Sequence, residues 1–347
     1  MVKKSVLIFA IIIVSSLSVY PQTVISKYAG EFMAIGVGAR ALGMGGAYVA
    51  VSNDVTSGYY NPAGLARVNY PQIALMHAEQ FGNLVNYDYA GFAMPFGTDM
   101  SLGISAMRLA IDGIPDTRDA LVIRNTTTRL SDINDPRAGI NPELVTEFSD
   151  QDWAFYLTFA KKHADDFYYG ASVKIIKRDI AEFGAWGIGF DVGALYSPVE
   201  DLFIGANLQD ITTTLVSWNT GRNELISPTA KIGAAYMVEF FGGKLTPALD
   251  FDVRFENRRF ASNFNLGPVS FDMHAGFEYN FKNLFAVRAG YNDVKQFTLG
   301  AGIKLPKLNI DYSFARFSAS KNERLDDTHR ISLILTLEEP RFLRLGL

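Results

Sequence analysis

From residue 72 onward the dominant regularity of the chain is a period of two. Residues 244–256 set Leu245, Pro247, Leu249, Phe251, Val253 and Phe255 on one face. Thr246, Ala248, Asp250, Asp252, Arg254 and Glu256 fall on the other. Residues 270–280 repeat this, with Phe271, Met273, Ala275, Phe277 and Tyr279 opposed to Ser270, Asp272, His274, Glu278 and Asn280. In 296–305, Phe297, Leu299, Ala301, Ile303 and Leu305 oppose Gln296, Thr298, Gly300, Gly302 and Lys304; Leu308, Ile310, Tyr312 and Phe314 then alternate with Asn309, Asp311 and Ser313. Successive side chains of a strand leave opposite faces, so each segment reads as a strand with one apolar face. About fourteen segments read this way: 71–80, 85–95, 100–110, 152–160, 167–178, 184–196, 202–209, 229–239, 245–256, 270–280, 284–291, 296–305, 308–316 and 327–337. Most have the length a tilted strand needs to cross a bilayer.

The connections fall into two alternating classes. Short links hold 96–99, 161–166, 197–201, 241–243, 280–283 and 306–307; the intervening ones vary, and 111–151, 210–228, 257–269 and 317–326 are long. Short turns on one rim and long loops on the other mark an outer-membrane barrel, with the short turns in the periplasm. A water-soluble sandwich also has alternating strands. The aromatic apolar face on nearly every strand and the turn asymmetry favour the barrel. The predicted fold class is therefore all-β: a transmembrane antiparallel β-barrel spanning 71–337, with 338–347 as a periplasmic C-terminal tail.

That assignment turns the apolar faces toward lipid and the polar faces into the lumen. Asp250, Asp252, Arg254, Asp272, His274, Glu278, Arg288, Lys304 and Asp311 are the predicted lumen-facing polar residues. Their mixed signs predict a filled lumen crossed by ion pairs rather than an open single-sign pore. Trp153, Phe167, Tyr169, Tyr196, Tyr279 and Tyr291, near strand ends, suit interfacial girdles or ordinary strand packing.

Composition narrows the function. The chain has 347 residues, a net charge of −4 and no cysteine, so disulfides and cysteine metal sites are excluded. No basic run points to nucleic acid. Lys3 and Lys4 precede an apolar core, 6–14, and then Ser15, Ser16, Leu17 and Ser18. This order predicts a secretory signal peptide over 1–18, with cleavage possible as late as 22. The apolar stretch is short for a retained membrane helix, which needs about 20 residues. The four histidines form no metal-binding spacing, and no nucleophile elbow is present, so neither a catalytic residue, a metal nor a cofactor is expected.

One stretch stands outside the alternation. Residues 36–64 are rich in Gly and Ala, hold one cation, Arg40, and close on Asn61, Pro62, Ala63 and Gly64. Gly36, Gly38 and Ala41 match a dinucleotide fingerprint, but neither an apolar strand before them nor a βαβ pattern after them supports it. Small residues suit a segment confined inside the barrel, so residues 24–66 are the expected lumen filler. Gly43, Gly45 and Gly46 would let its backbone approach the wall, and Arg40 is expected to pair with Asp250, Asp252 or Asp272.

Residues 31–47, EFMAIGVGARALGMGGA, followed by 60–65, YNPAGL, resemble the PorV/PorQ family of outer-membrane proteins, a branch of the FadL-like barrels. The resemblance implies an N-terminal hatch in the lumen, with Gly36, Gly38, Arg40, Gly43, Gly45, Gly46, Asn61, Pro62, Ala63 and Gly64 as its motif. It also implies a place in the outer membrane of a diderm bacterium, in contact with outer-membrane lipid. PorV-type members belong to type IX secretion, which makes secretion machinery or exported cargo proteins the expected partners. FadL-like members carry long-chain fatty acids or other hydrophobic small molecules, which is the alternative.

Overall fold

The computed structural model describes residues 30–80, 82, 84–256, 258, 262–317 and 327–346. The expected signal peptide, the first residues of the expected hatch and positions 318–326 of the last long loop lie outside the described residues.

One antiparallel sheet closes on itself. Its first strand, Gln72–Gln80, pairs on one side with Val85–Phe96 and on the other with the last, Thr328–Thr336. Between them each strand pairs with the next: Met100–Asp116, Thr146–Ala164, Phe167–Ile180 and Phe183–Val199. Leu202–Gln209 with Thr214–Trp218 forms one interrupted stave, and Asn223–Ile226 with Thr229–Tyr236 the next. Gly243–Arg254, Val269–Phe281, Phe285–Tyr291, Gln296–Leu305 and Leu308–Phe317 complete the circle. The result is a closed barrel of fourteen staves. Closure of the first stave on the last leaves the sheet without a terminal edge strand, which a chain surrounded by hydrocarbon requires.

Cross-strand register shows where the apolar band stops. One row runs Ile310, Leu333, Leu75, Ala90, Ala106, Phe155, Ile175, Ile188, Leu215, without a polar side chain. The next row toward the long loops runs Tyr312, Ile331, His77, Asp88, Arg108, Trp153, Lys177, Trp186. Charge and indole begin together on the adjacent staves of Asp88, Arg108 and Trp153, as at a membrane–water interface, and because the strands tilt a row holds one depth only across such neighbours. Along one strand the outward residues between Trp153 and Lys161 are Phe155, Leu157 and Phe159. Eight residues of a strand tilted by about 40° rise about 20 Å, close to the apolar height of an outer-membrane barrel.

The structure moves several boundaries. The 111–151 connection is shorter than its sequence suggests, because strands reach Asp116 on one side and begin at Thr146 on the other, with a register shift between Ile111 and Ile114. The remainder carries its own small ladder, Leu121–Ile123 with Ala138–Ile140. Within 210–228, Thr214–Trp218 and Asn223–Ile226 continue the wall. Phe264–Leu266 folds back on the barrel, stacking Phe264 on Phe271 with ring centroids 4.6 Å apart. Beyond Arg108 and Trp153 the strands rise past the apolar band, where water reaches both faces and the apolar alternation that marks the lower strands is lost, whereas Thr214–Trp218 keeps it, with Leu215 in the apolar row. Residues 337–346 turn back across the short-turn rim. There the Arg344 guanidinium is buried and donates to Val68 O (2.7 Å), Met100 O (2.8 Å), Ala66 O (3.1 Å) and Ser101 Oγ (2.6 Å).

Candidate functional site

Residues 30–68 lie against the inward faces of the wall as three short helices, Glu31–Ala34, Ala39–Gly43 and Ser57–Tyr60, and a tight 3-10 turn, Pro62–Arg67. The sequence explains why this stretch does not join the ladder. Its glycines at 36, 38, 45 and 46 all have positive φ, between 67° and 89°, which reverses the chain repeatedly and suits residues without a Cβ. Asn61 ends the third helix and starts the 3-10 turn. Its Nδ2 donates to Val49 O and Ala194 O, each at 3.0 Å, and its Oδ1 accepts the Ala63 N–H at 3.2 Å. Pro62 then takes the first turn position, where its missing N–H costs nothing. Gly64 is packed so closely that a Cβ there would meet Ser52 Oγ at 2.5 Å.

The wall makes room for this segment as much as the segment does. A Cβ on Gly43 would lie 3.1 Å from the Gly300 Cα, one on Gly45 2.6 Å from the Tyr291 nitrogen, and one on Gly46 3.0 Å from His274 Nδ1. In return, a Cβ on wall residues Gly276 or Gly290 would run into the Met44 carbonyl, and one on Gly205 into that of Val49. The seats are held by hydrogen bonds. Thr298 donates to Gly43 O at 3.0 Å, Asn207 to Tyr60 O at 2.9 Å, and Ser332 Oγ accepts the Ala39 N–H at 3.0 Å. Of the inward wall glycines, Gly300 and Gly302 were placed on the inner face by the alternation of 296–305, but nothing in the sequence said what they admit.

Charge fastens the segment at two levels. Arg40 is bidentate to Glu278, with Nε–Oε2 and Nη2–Oε1 both 2.9 Å. It also meets Asn53 at 2.7 Å, the Tyr48 hydroxyl at 2.9 Å and Asp54 at 3.6 Å. Arg288 extends the chain of charges, 2.6 Å from Glu278 and 2.7 Å from Asp311. Burial pulls the Arg40 guanidinium down, but Glu278, Tyr48 and Asp54 outweigh it and hold the group well above the usual arginine range. The partner of Arg40 is thus Glu278, not Asp250, Asp252 or Asp272. Those three sit elsewhere in the lumen. Asp250 accepts the Tyr48 and Val49 N–H groups at 2.6 and 2.8 Å; Asp252 pairs with Lys231 and has His274 3.6 Å away. Asp272 lies 2.6 Å from Arg258 and 3.6 Å from Arg254. His274 Nδ1 is also 2.9 Å from Gly45 O. Lys304 stands apart at the short-turn mouth, exposed, 3.4 Å from Asn283 Oδ1.

Space remains on both sides of the segment. Toward the short turns, a cavity of about 860 Å³ is lined by Arg40, Met44, Val51, Arg67, Phe203, Met237 and Phe241, and a second of about 250 Å³ shares Arg40 and Glu278 with it. Toward the long loops, about 70 Å³ lies between Met33, Tyr59, Tyr156, Ile226, Lys174 and Asp210. Here the wall is irregular. Residues 210–213 leave the ladder between two paired segments, with Asp210 and Thr213 at φ 55° and 60°, and residues 227–228 do so in the neighbouring stave. Behind the break, buried Lys174 bridges Asp191 at 3.0 Å and Asp210 at 2.8 Å. Among the described residues no group of three or more His, Asp or Glu side chains is placed to hold a metal ion.

The fold has close counterparts. The toluene transporter TbuX of Ralstonia pickettii superposes with a TM-score of 0.56 at 13% identity, over 87% of this chain and 98% of that one. The monoaromatic hydrocarbon channel CymD gives 0.55 at 14% identity, over 88% and 98%. A FadL homologue of Pseudomonas aeruginosa gives 0.54 at 12% identity, over 86% and 98%. The chain therefore has the FadL-like outer-membrane barrel fold. No sequence profile of a protein family matches it, and no curated protein does.

Proposed function

We propose that this barrel passes small hydrophobic molecules across the outer membrane, entering through the wall and leaving by the short-turn mouth. The observation that carries this reading is the break of two adjacent staves at one level, residues 210–213 and 227–228, with a cavity directly behind. The break faces lipid, where apolar molecules concentrate, and among backbone pairs only the Ile211 N–H, donating to Phe190 O at 3.0 Å, ties 210–213 to the strand beside it; the 860 Å³ cavity gives onto the short-turn rim. That barrels of this fold include a toluene transporter and a monoaromatic hydrocarbon channel supports the reading. At about 70 Å³ the inner cavity is smaller than the roughly 150 Å³ that holds benzene in an apolar core, so loading requires Met33 or Ile226 to swing aside.

The test is uptake of labelled toluene by a diderm host lacking its own carrier. Expression of this barrel should speed uptake, and Ile226→Trp should abolish the gain. Uptake unchanged by expression of a correctly inserted barrel would refute the reading. A second reading, docking of secretion machinery or exported cargo as in PorV/PorQ, is supported by the 31–47 and 60–65 motif and by the folded insert that holds Leu121–Ile123 and Ala138–Ile140 on the long-loop rim. Co-purification of an exported protein, lost on deleting 117–145, would favour it.

A further inference from the structure

The outer wall carries a recess that the transport route does not use. Leu75, Ala90 and Ala106 are register partners in one row, between Leu333 and Phe155. Two alanines among large apolar side chains leave a dent of about 410 Å³ in a surface that faces lipid. Directly above it, on the long-loop side, stand His77, Asp88, Arg108 and Trp153. His77 Nδ1 takes Asp88 Oδ1 at 2.7 Å, and His77 Nε2 lies 3.7 Å from Glu79. Arg108 lies 3.6 Å from Asp88, beyond hydrogen-bond reach, and 5.6 Å from the Trp153 ring centroid. Among the described residues its guanidinium donates no hydrogen bond. A guanidinium has five N–H donors in a planar fork, and hydrocarbon satisfies none of them. At this level of the wall Asp88 stays 3.6 Å away, and lipid headgroups bring acceptors that can come closer; phosphate matches the fork geometrically.

We propose that this recess binds a phosphate-bearing acyl lipid of the leaflet on the long-loop side, with its phosphate on Arg108 and one acyl chain over Ala90 and Ala106. Arg108 and Asp88 cancel in charge, so selection rests on the fork and on the fit of the chain rather than on a cationic patch. Hydroxyl or ammonium groups of the same headgroup would face Asp88. The wall supplies its own control. Trp186 lies in the same row beside Lys177, whose Nζ is 5.7 Å from its ring, but Ile188 and Leu215 stand beneath it where the other site has alanines.

The experiment uses the whole barrel in dodecyl maltoside, a phosphate-free micelle. Each of two variants keeps one indole: Trp153 in the Trp186→Phe/Trp218→Phe protein, and Trp186 in Trp153→Phe/Trp218→Phe. Phosphatidylglycerol brominated on its acyl chains is titrated in, and brominated diacylglycerol serves as the phosphate-free comparison. Trp153 should be quenched at several-fold lower phospholipid than Trp186, while diacylglycerol quenches both alike. Arg108→Gln and Ala90→Leu/Ala106→Leu should each remove the preference. Equal quenching of the two indoles by the phospholipid would overturn the proposal, without need of the recess variants. So would a Trp153 preference that survives both changes, or one that diacylglycerol reproduces.

Discussion

Glu278→Gln keeps the side chain's size and removes the charge on which two arginines converge. Arg288 would retain Asp311 at 2.7 Å, whereas Arg40 would keep only Asp54 at 3.6 Å and the neutral Tyr48 and Asn53. Two limits bracket the cost. Removing one partner of a fully buried pair costs about 3–5 kcal/mol, while an exposed pair contributes about 0.2–1 kcal/mol. The Glu278 side chain is 9% exposed and that of Arg40 23%, on the cavity side, so the pair sits nearer the buried limit with some screening. A loss of about 2–3 kcal/mol in unfolding free energy is expected. Urea unfolding from lipid vesicles, followed by tryptophan fluorescence, measures it. A cycle with Arg40→Met separates the pair from the general effect of lumen charge, and its coupling should be at least about 1 kcal/mol. A loss under about 0.5 kcal/mol, or strictly additive single changes, would show that Arg40 is solvated through the mouth and does not fasten the segment.

Phe251→Arg, facing lipid between Ile232 and Met273, should cost about 2–4 kcal/mol in the same unfolding assay; a neutral result would reverse the orientation of the wall. Gly276→Ala puts a methyl group where the Met44 carbonyl lies and should cost about 1–3 kcal/mol, and should cost nothing when made in the barrel that lacks the N-terminal segment. Arg344→Ala strips donors from three carbonyls at the short-turn rim and should cost about 2–4 kcal/mol while exposing 337–346 to protease; unchanged proteolysis would show the tail held by other contacts. Deleting residues 24–65 should convert a low-conductance barrel into a large open channel in planar bilayers, and unchanged conductance in a folded deletion would show that the segment is no plug.

How far the sequence reached depends on which physical constraint each residue answers. Parity along a strand is local: lipid on one side and lumen on the other force alternation, so the faces of Asp250, Asp252, Asp272 and Glu278 could be read from 244–256 and 270–280 alone. Depth is not local. It comes from the stagger between staves, which is why Arg40 could be assigned an inward carboxylate but not the right one. Asp250 and Asp252 occupy register positions opposite His274 and Asp272, two and three inward-facing pairs further from the short turns than Thr246 opposite Glu278. Only Glu278 shares a level with Arg288 and, through it, Asp311. The same reasoning explains the wall glycines. Gly276 and Gly290 are register partners, so the two Cβ positions that Met44 needs empty lie side by side, although fourteen residues of sequence separate them. A glycine inward on one strand is uninformative; two paired across a ladder, facing a chain that turns at Gly45 and Gly46, form a seat. The tiny-residue face and the glycine-rich stretch, read separately as composition, are therefore one feature, and a change on either side should be felt through the other.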